Sequence, residues 1–140
     1  MSEITYKMVD HAPTEAVVAL YQAGGWWREE PSARTVLPAM IRGSWCFMVA
    51  SEADEHIVGM GRVISDGVSD AYIQDVVVLA SHRGRGIGRE LVRRLTARCI
   101  AAGIHWIGLV AEPGTQPFYQ PLGFSPLAGY QAMLHGERTQ

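Results

Sequence analysis

The chain has 140 residues, of which 48% are hydrophobic and 19% are charged. This size and composition suit one domain with a single core, and they fit neither a disordered tail nor a coiled coil. A formal net charge of −2 and a pI near 6.2 argue against a general nucleic-acid binder, which is usually basic. We therefore predict one domain over residues 1–140 with no nucleic-acid partner.

The lengths of the apolar runs and the number of cysteines indicate the cellular compartment of the protein. The longest apolar runs, such as Val76 to Ala80, are far shorter than the ~20 residues that cross a bilayer. The first residues lack the apolar stretch of a signal peptide. Cys46 and Cys99 are too few for a disulfide framework and fit reduced thiols. We expect a cytoplasmic protein with no membrane partner.

Hydrophobic periodicity and turn residues predict the elements of the first half of the chain. Alternating apolar residues predict a strand over residues 3–9. A helix opens at Pro13 and ends at the glycine pair 24–25. A second helix is predicted over 32–42, and Pro38 within it predicts a kink or two short pieces.

The second half opens with three predicted strands, of which the last is the most apolar and the most central. An amphipathic helix follows, with Leu91, Leu95 and Cys99 on its apolar face and Gly103 after its end. The predicted order is β-α-α-β-β-β-α-β-α-β, a mixed α/β sheet flanked by helices. The predicted ranges are strands over 45–51, 56–64 and 71–79, a helix over 86–102, a strand over 106–111, a helix over 115–122 and a terminal strand over 124–134.

A glycine-rich turn joins the apolar strand over 71–79 to the amphipathic helix. Free N–H groups at the start of such a helix converge on one point, and the helix dipole favours an anion there. Glycines let the backbone approach an oxyanion without interference from a Cβ atom. We interpret the segment as a phosphate-binding turn, the alternative being an ordinary glycine-rich connection. Its residues are Arg83, Gly84, Arg85, Gly86, Ile87 and Gly88.

Two common phosphate motifs do not fit this turn. A nucleotide-triphosphate loop ends in a lysine, and the chain has no lysine after Lys7. A dinucleotide fingerprint starting at Gly84 and Gly86 needs a third glycine where Arg89 stands. A phosphate ligand of this turn would therefore belong to another class of compound.

Two sequence blocks resemble the GNAT superfamily of N-acetyltransferases. The first, Arg83-x-x-Gly86-x-Gly88 after a run of valines, is similar to the family's acetyl-CoA signature (Q/R)-x-x-G-x-(G/A). The second, residues 117–124, is similar to its F-Y-x-x-L-G-F block. One helix and one strand separate the blocks, as in the family. Residues 66–78 also resemble the serotonin (arylalkylamine) N-acetyltransferases of plastid and cyanobacterial type.

The resemblance implies acetyl-CoA as co-substrate, with backbone N–H groups of 83–88 on its pyrophosphate. The valines 76–78 would pair with the pantetheine amides like an added strand. Arg85 and Arg89 are the first candidates for the 3′-phosphate, whereas a solvated helix face explains Arg93, Arg94 and Arg98 equally well. The implied cofactor-binding residues are Val76, Val77, Val78, Arg83, Gly84, Arg85, Gly86, Ile87, Gly88 and Arg89.

Acetyl transfer from a thioester to an amine needs an oxyanion site, an acid and a neutral amine. Backbone N–H groups near Val77 or Val78 are candidates for the first. The resemblance places the family's thiolate-protonating tyrosine at Tyr119, whose alternative is aromatic packing beside Phe118 and Phe124. A tyrosine with a pKa of ~10 is protonated at neutral pH and can donate.

The sequence does not decide which group removes the proton from the amine. Asp75 precedes the valines, and an acid in so apolar a strand must be paired, exposed to a cleft or functional. Glu112 and water are the other candidates for the proton acceptor, and pairing with an arginine is the non-catalytic interpretation of Asp75. Alternation puts Asp75 on the face of Ile73 and Val77 unless a bulge intervenes.

The acceptor in this fold enters opposite CoA, over the segment after the first helix. There Trp26 and Trp27 would form an aromatic wall, and Glu29 or Glu30 would meet an ammonium group. The alternative is that one tryptophan is buried and the other covers the edge of the core. We expect a small-molecule primary amine, since no acidic tract is present to attract a basic protein tail. A protein or peptide acceptor and a non-catalytic acyl-CoA sensor are the alternatives.

Three further expectations complete the prediction. The five histidines are scattered without ligand spacing, so no metal is expected. The segment 112–117 lacks the asparagine and alanine of many family members, and Thr115 or backbone groups would replace their hydrogen bonds. A terminal strand and an exposed sheet edge would allow two copies to pair as a homodimer.

Overall fold

A computed structural model describes residues 3–136. These residues contain a five-stranded sheet in the order β1-β2-β3-β4-β5. The strands are β1 (Thr5–Met8), β2 (Cys46–Ser51), β3 (Ile57–Ser65), β4 (Asp70–Val78) and β5 (Trp106–Gly108). The α-helices are α1 (Thr14–Ala23), α2 (Leu37–Gly43), α3 (Ile87–Ala101) and α4 (Gln116–Tyr119), and short 3-10 helices span Ala80–His82 and Gln120–Leu122.

The sheet is mixed, because β1 to β4 pair antiparallel whereas β4 and β5 pair parallel. Met60 of β3 packs with the apolar residues of α1 and α2. A Cβ atom on Gly59 or Gly61, its two neighbours, would meet Leu91 or Leu95 of α3. Since successive strand residues point to opposite faces, α1 and α2 cover one face of the sheet and α3 covers the other. The predicted fold class is confirmed.

The core on the first face follows from the spacing of apolar residues on α1. Val17, Leu20 and Tyr21 lie on one side of this helix and are buried against the sheet, where Phe47 and Met60 are also buried. Burying one such side chain contributes about 1.5–3 kcal/mol. The first helix is therefore fixed to the sheet beside the unpaired part of β4 described below.

The chain divides into two compact units with a boundary between Leu109 and Val110. The first unit contains the whole sheet with α1 to α3, and the second contains α4. The single domain predicted over 1–140 stays a prediction, and its residues 1–2 and 137–140 lie outside the described residues. None of the described helices is long and apolar enough to cross a membrane.

Most predicted elements are present, and three differ. The second helix is shorter than predicted because residues 31–36 form turns and the helix begins one residue before Pro38. The strand over 106–111 is reduced to three residues. The terminal strand over 124–134 is wrong, since none of the described residues there is in a strand. Pro126 has no N–H to donate and Gly129 has a positive φ of 82°, so both interrupt the apolar alternation.

Candidate active site

A bulge interrupts β4 at Asp75. Met60 pairs with Val77 and Arg62 pairs with Gln74, so Gly61 alone faces two residues of β4, Asp75 and Val76. Asp75 has φ 58°, in the left-handed region that few non-glycine residues adopt. The extra residue turns the Asp75 side chain toward α1. The bulge that the sequence analysis named as a condition is therefore present.

The carboxylate of Asp75 has two partners in the first unit. Its Oδ2 atom accepts a hydrogen bond from the Tyr21 hydroxyl at 2.8 Å and from Nε of Arg62 at 2.7 Å. Nη1 of Arg62 also donates to Oγ of Ser44 at 3.3 Å. The side chains of Arg62 and Asp75 are only 14% and 22% exposed, so the ion pair is shielded from water. This is the arginine pairing that the sequence analysis kept as an alternative.

Tyr21 is held in this network by burial as well as by its hydroxyl. Burial, followed by the neighbouring Asp75 carboxylate, raises the pKa of Tyr21 well above the usual value for a tyrosine. The hydroxyl therefore stays protonated and donates to Asp75 throughout the working pH range. Sequence reasoning missed both Tyr21 and Arg62, although Tyr21 is the one aromatic residue of α1 and Arg62 the one charged residue of the apolar strand β3.

Beyond the third residue of β4, its outer edge has no strand partner in the described residues. The parallel pairing joins Asp70–Tyr72 of β4 to Trp106–Gly108 of β5 and stops there. Residues 73–78, including the three valines, pair with β3 alone. The Val78 carbonyl accepts a hydrogen bond from the Arg83 side chain, and the other outward N–H and C=O groups of this edge have no second strand partner in the described chain. Such an edge suits the strand addition expected for pantetheine.

The glycine-rich turn leaves β4 and enters α3 with its backbone open. Gly84 and Gly86 have φ of 77° and 80°, and a Cβ atom on either would meet nothing within 4 Å. Gly86 caps α3 without any side-chain hydrogen bond, and the first intrahelical bond is donated by Glu90 to its carbonyl. The glycines are needed for conformation rather than for space. The N–H groups before Glu90 have no intrahelical acceptor, and such groups at a helix start suit an anion.

The arginine that opens the motif acts within the fold. Nε of Arg83 donates to the carbonyl oxygen of Val78 at 3.0 Å, and its Nη2 donates to that of Ala23 at 3.1 Å. This side chain therefore connects the end of β4 to the last residue of α1. The contribution of Arg83 to an anion is then its backbone and the shape of the turn.

The other arginines of α3 differ in how they are used. Arg93 and Arg94 both bind Glu90, and together they lower the pKa of that carboxyl to about 2. Arg94 also lies over the Tyr6 ring and Arg98 over the Trp45 ring. Arg89 is exposed and has no partner among residues 3–136. Of these four arginines, it is the one whose guanidinium is available to a ligand phosphate.

His82, just before the glycine-rich turn, contacts Glu52, the residue after the end of β2. Its Nε2 atom lies 3.3 Å from Oε1 of Glu52, and its Nδ1 atom lies 2.7 Å from Oγ of Ser81. The contact with Glu52 connects the residue before Arg83 to the end of β2. Within residues 3–136, no group of three His, Cys, Asp or Glu side chains is arranged to hold a metal ion.

The tryptophan pair lies on the α1 side of the sheet, next to the Asp75 network. The Trp26 ring meets the Tyr21 ring edge-on with centroids 6.2 Å apart. Trp26 and Trp27 are both partly buried against the core cluster. Both tryptophans therefore pack against the core, and neither side chain is fully buried.

Charged residues surround Trp27. The Arg34 guanidinium lies 5.5 Å from the Trp27 ring centroid and binds both Glu15 and Glu29 at 2.7 Å. Glu29 is thus used inside the loop, whereas Glu30 is exposed and has no partner in the described part of the chain. The indole Nε1 of Trp27 is buried and unpaired among the described residues. Glu30 is the carboxylate left for a ligand ammonium.

The second unit holds Tyr119 in an aromatic cluster. The Tyr119 ring lies 4.9 Å from Phe118 and 6.0 Å from Phe124, centroid to centroid. Burial, followed by the charge of Glu112, raises the pKa of Tyr119 above the usual value for a tyrosine. Its hydroxyl makes no hydrogen bond within the described residues, and Thr115 begins the helical turn by bonding to the carbonyl of Glu112. Tyr119 is therefore both packed and available as a proton donor.

Comparison with known proteins identifies the class. Residues 10–124 match the model of the acetyltransferase (GNAT) family. The chain belongs to this family. Its members generally use acetyl-CoA as co-substrate. The open space at Gly84 and Gly86 suits the pyrophosphate of that compound, and the part of β4 without a second strand partner suits its pantetheine amides.

The chain is similar in sequence to two plant acetyltransferases. Over 81 residues the chain is 40% identical to serotonin N-acetyltransferase 2, chloroplastic, of Oryza sativa, covering 58% of this chain and 40% of that protein. It is 36% identical over 76 residues to histone acetyltransferase TAP1 of Glycine max, covering 53% of this chain and 33% of that protein. These alignments span less than half the length of either plant protein. The predicted likeness to the serotonin N-acetyltransferase branch is confirmed.

A solved structure covers the whole fold. A GNAT-family acetyltransferase from Streptococcus pneumoniae superposes with a TM-score of 0.79 at 28% identity, over 98% of this chain and 100% of that chain. The resemblance stated from two short blocks therefore extends over the fold as a whole.

Proposed function

We propose that the protein is an acetyl-CoA-dependent N-acetyltransferase that transfers the acetyl group to a small primary amine by direct attack on the thioester. One observation carries this proposal: the free edge of β4 runs directly into an open, glycine-capped turn at the start of α3. The edge supplies strand-like pairing groups and the turn supplies free N–H groups. This is the combination that pantetheine and a pyrophosphate require.

Different residues bind different parts of acetyl-CoA. N–H groups of residues 83–88 bind the pyrophosphate, and Arg85 and Arg89 reach the 3′-phosphate. The valines 76–78 pair with the pantetheine arm. A backbone N–H near Val77 or Val78 stabilises the negative charge that develops on the thioester oxygen.

The reaction moves two protons. The neutral amine nitrogen bonds to the thioester carbonyl carbon, and the C–S bond breaks with its electron pair on sulfur. Tyr119 donates its proton to that sulfur, and the Oδ1 atom of Asp75 takes the proton released by the amine. Within the described residues Oδ1 accepts no hydrogen bond, so it is open to this proton while Oδ2 stays with Arg62 and Tyr21.

On the acceptor side, Trp26 and Trp27 provide the aromatic wall and Glu30 the carboxylate that attracts an ammonium ion. The rice relative is named for serotonin, an aromatic primary amine. An aromatic or alkyl amine of similar size suits two partly buried indole rings. This likeness supports the small-molecule acceptor.

A second candidate acceptor is a protein lysine or N-terminus. The observation that favours it is the 36% identity to a protein named histone acetyltransferase TAP1. The chain has no acidic tract to bind a basic tail, so the small amine remains the first proposal.

The test is amine-dependent release of CoA from acetyl-CoA, followed by chromatography and mass spectrometry because Cys46 and Cys99 can react with thiol dyes. The panel contains arylalkylamines, polyamines, amino acids, amino sugars and histone-derived peptides. We expect CoA and an acetylated arylalkylamine or alkylamine in equal amounts. Acetylated peptide alone would select the second acceptor. Binding of acetyl-CoA without release in any mixture would contradict the enzyme and favour a sensor.

Assembly and location are proposals of the same kind. We propose a homodimer, to be tested by light scattering after size-exclusion chromatography, with a mass near 30.8 kDa expected, twice the 15.4 kDa of one chain. Cytoplasmic location stays a prediction from the sequence, to be tested by fractionation. The rice relative is named as chloroplastic.

A further inference from the structure

The β4 bulge depends on one residue in an unfavourable conformation. We infer that Arg62 and Tyr21 hold Asp75 in its left-handed backbone conformation and thereby keep the β4 edge in the shape that receives acetyl-CoA. Asp75 is then a positioning residue for the co-substrate, in addition to its proposed place in proton transfer. The inference rests on the proposed function for the identity of the ligand.

The conformation of Asp75 needs support because L-residues other than glycine lose free energy at positive φ. Two non-glycine residues in the described chain have such a φ, Asp75 at 58° and Glu55 at 65°. Glu55 lies in the exposed turn between β2 and β3, where a tight turn sets its backbone. Asp75 lies within a strand, and a regular strand conformation is the alternative open to it. Something other than a turn must therefore stabilise the bulge.

The contacts of the Asp75 carboxylate supply that support. Arg62 stands directly after Gly61, the residue that faces the bulge, and donates from β3 at 2.7 Å. Tyr21 donates from α1 at 2.8 Å. The Arg62 guanidinium is itself held by Ser44, which donates to the carbonyl of Met40. The extra residue of β4 is thus connected to two different elements, in a setting where an ion pair is shielded from water.

The bulge decides which way the following residues face. Side chains alternate along a strand, so removing one extra residue from the register reverses the facing of everything after it. With the bulge, Val77 packs in the core beside α1, while Val76 lies against Gly61 on the α3 side. Without it, the valines and the phosphate turn that follows them would be turned away from their present positions. Acetyl-CoA would then meet a different edge.

The experiment separates backbone conformation from chemistry by comparing alanine with glycine at one position. Asp75→Ala and Asp75→Gly both remove the carboxylate, and only glycine adopts positive φ freely. We expect acetyl-CoA, titrated calorimetrically, to bind Asp75→Ala about tenfold more weakly than Asp75→Gly, because the competent conformation becomes the minor one. Equal affinities in the two variants would overturn the inference.

Glu55→Ala and Glu55→Gly form the matched control. They create the same difference in backbone strain at an exposed turn, so their melting temperatures should differ while their affinities for acetyl-CoA stay equal. A difference in acetyl-CoA affinity between the two Glu55 variants would mean that strain anywhere weakens binding, which contradicts a specific role for the bulge.

Arg62 and Tyr21 are tested through the same glycine background. Arg62→Met and Tyr21→Phe should each weaken acetyl-CoA binding in the otherwise unaltered chain. Neither should add more than about a twofold loss to Asp75→Gly, because no carboxylate is left to hold. A full additional loss in that background would show that these residues act on the ligand or on general folding, and would overturn the inference.

A ligand-free measurement separates this inference from the proposed function. Backbone chemical shifts and the HN–Hα coupling of residue 75 report its φ directly. We expect the left-handed values in the unaltered chain and their loss in Arg62→Met. Unchanged values in Arg62→Met would refute the role of Arg62 even if acetyl-CoA binds. Absence of acetyl-CoA binding to the unaltered chain would refute the proposed function, while the coupling would still decide how the bulge is held.

Discussion

Arg83 donates a hydrogen bond from Nε back to the carbonyl oxygen of Val78, across the turn that both residues enclose. The residue that opens the family signature therefore closes the end of β4 against the start of the turn. In the sequence the Arg83 side chain looks like a phosphate ligand, but in the structure it donates hydrogen bonds to the main-chain carbonyls of Val78 and Ala23. The distinction can be tested by substitution.

Arg83→Ala should weaken acetyl-CoA binding by about 1–2 kcal/mol, since it leaves the carbonyls of Val78 and Ala23 without their donor. Arg83→Gln should lose much less, because a glutamine amide can still donate to Val78. Calorimetric titration with acetyl-CoA measures both. Equal losses in the two variants would indicate that the charge of Arg83 acts on the phosphate.

Gly86→Val should reduce the affinity for acetyl-CoA at least tenfold, because valine at φ 80° costs about 1–2 kcal/mol or shifts the helix start. Gly103→Val is the control, with φ 86° and equally open space beyond the other end of α3. It should lower the melting temperature and leave acetyl-CoA binding intact. Normal binding by Gly86→Val would remove the phosphate turn from the site.

Tyr119→Phe should lower kcat by about 10²-fold and leave acetyl-CoA affinity unchanged, because the lost hydroxyl makes no hydrogen bond in the described chain. Tyr130→Phe, in the same unit and 78% exposed, should leave both quantities unchanged. Burial raises the pKa of Tyr119, so the acid stays protonated at neutral pH and is lost only at a higher pH than for an ordinary tyrosine. Rate profiles should therefore show no loss from this group near neutral pH. An unchanged kcat in Tyr119→Phe would dismiss the acid assignment.

Asp75→Asn separates the proposed base from the positioning role. Asparagine tolerates positive φ and can still accept a hydrogen bond from Tyr21, so acetyl-CoA affinity should stay within about threefold of the unaltered chain. It cannot take a proton, so kcat should fall about 10²-fold. Retained kcat with retained affinity would assign deprotonation of the amine to water.

Gly61→Ala should destabilise the fold by about 1–3 kcal/mol. The new Cβ atom would lie 2.9 Å from Cδ1 of Leu95 and 3.2 Å from Cγ2 of Val76, and Leu95 is fully buried. Gly43→Ala, at the end of α2, meets nothing within 4 Å and should be neutral or stabilising. Urea unfolding of the two variants gives the comparison. A Gly61→Ala as stable as Gly43→Ala would mean that α3 can move away from the bulge.

The sequence predicted what depends on local pattern. The apolar face of α3, the glycines that open the turn and the strand before them all follow from spacing and backbone preference. The Asp75 contacts did not follow, since they join residues 54 and 13 positions apart along the chain. Even the bulge could be named only as a condition, because register is set by pairing between strands.

The terminal strand shows the opposite error. Apolar residues alternate there well enough to suggest a strand, yet Tyr130 is 78% exposed and Met133 is 89% exposed. A strand needs a neighbour to pair with, and alternation alone does not supply one. Pro126 and Gly129 were the local signals against it. They outweigh the alternation in this segment.

The open turn at Gly84 and Gly86 has a consequence for how this protein tolerates mutation. In the proposed function the groups that bind the pyrophosphate are main-chain amides, so replacing a neighbouring side chain by any residue other than proline removes none of them. The site is lost when one of two backbone torsions is forbidden, and a saturation library should concentrate its inactive variants at those two glycines. Positions 85 and 89 should tolerate many more substitutions, with only graded effects on affinity, whereas Ile87 is buried in the core and is restricted by packing. If the turn binds the pyrophosphate as proposed, the positions whose substitution abolishes binding are thus far fewer than the residues that contribute N–H groups.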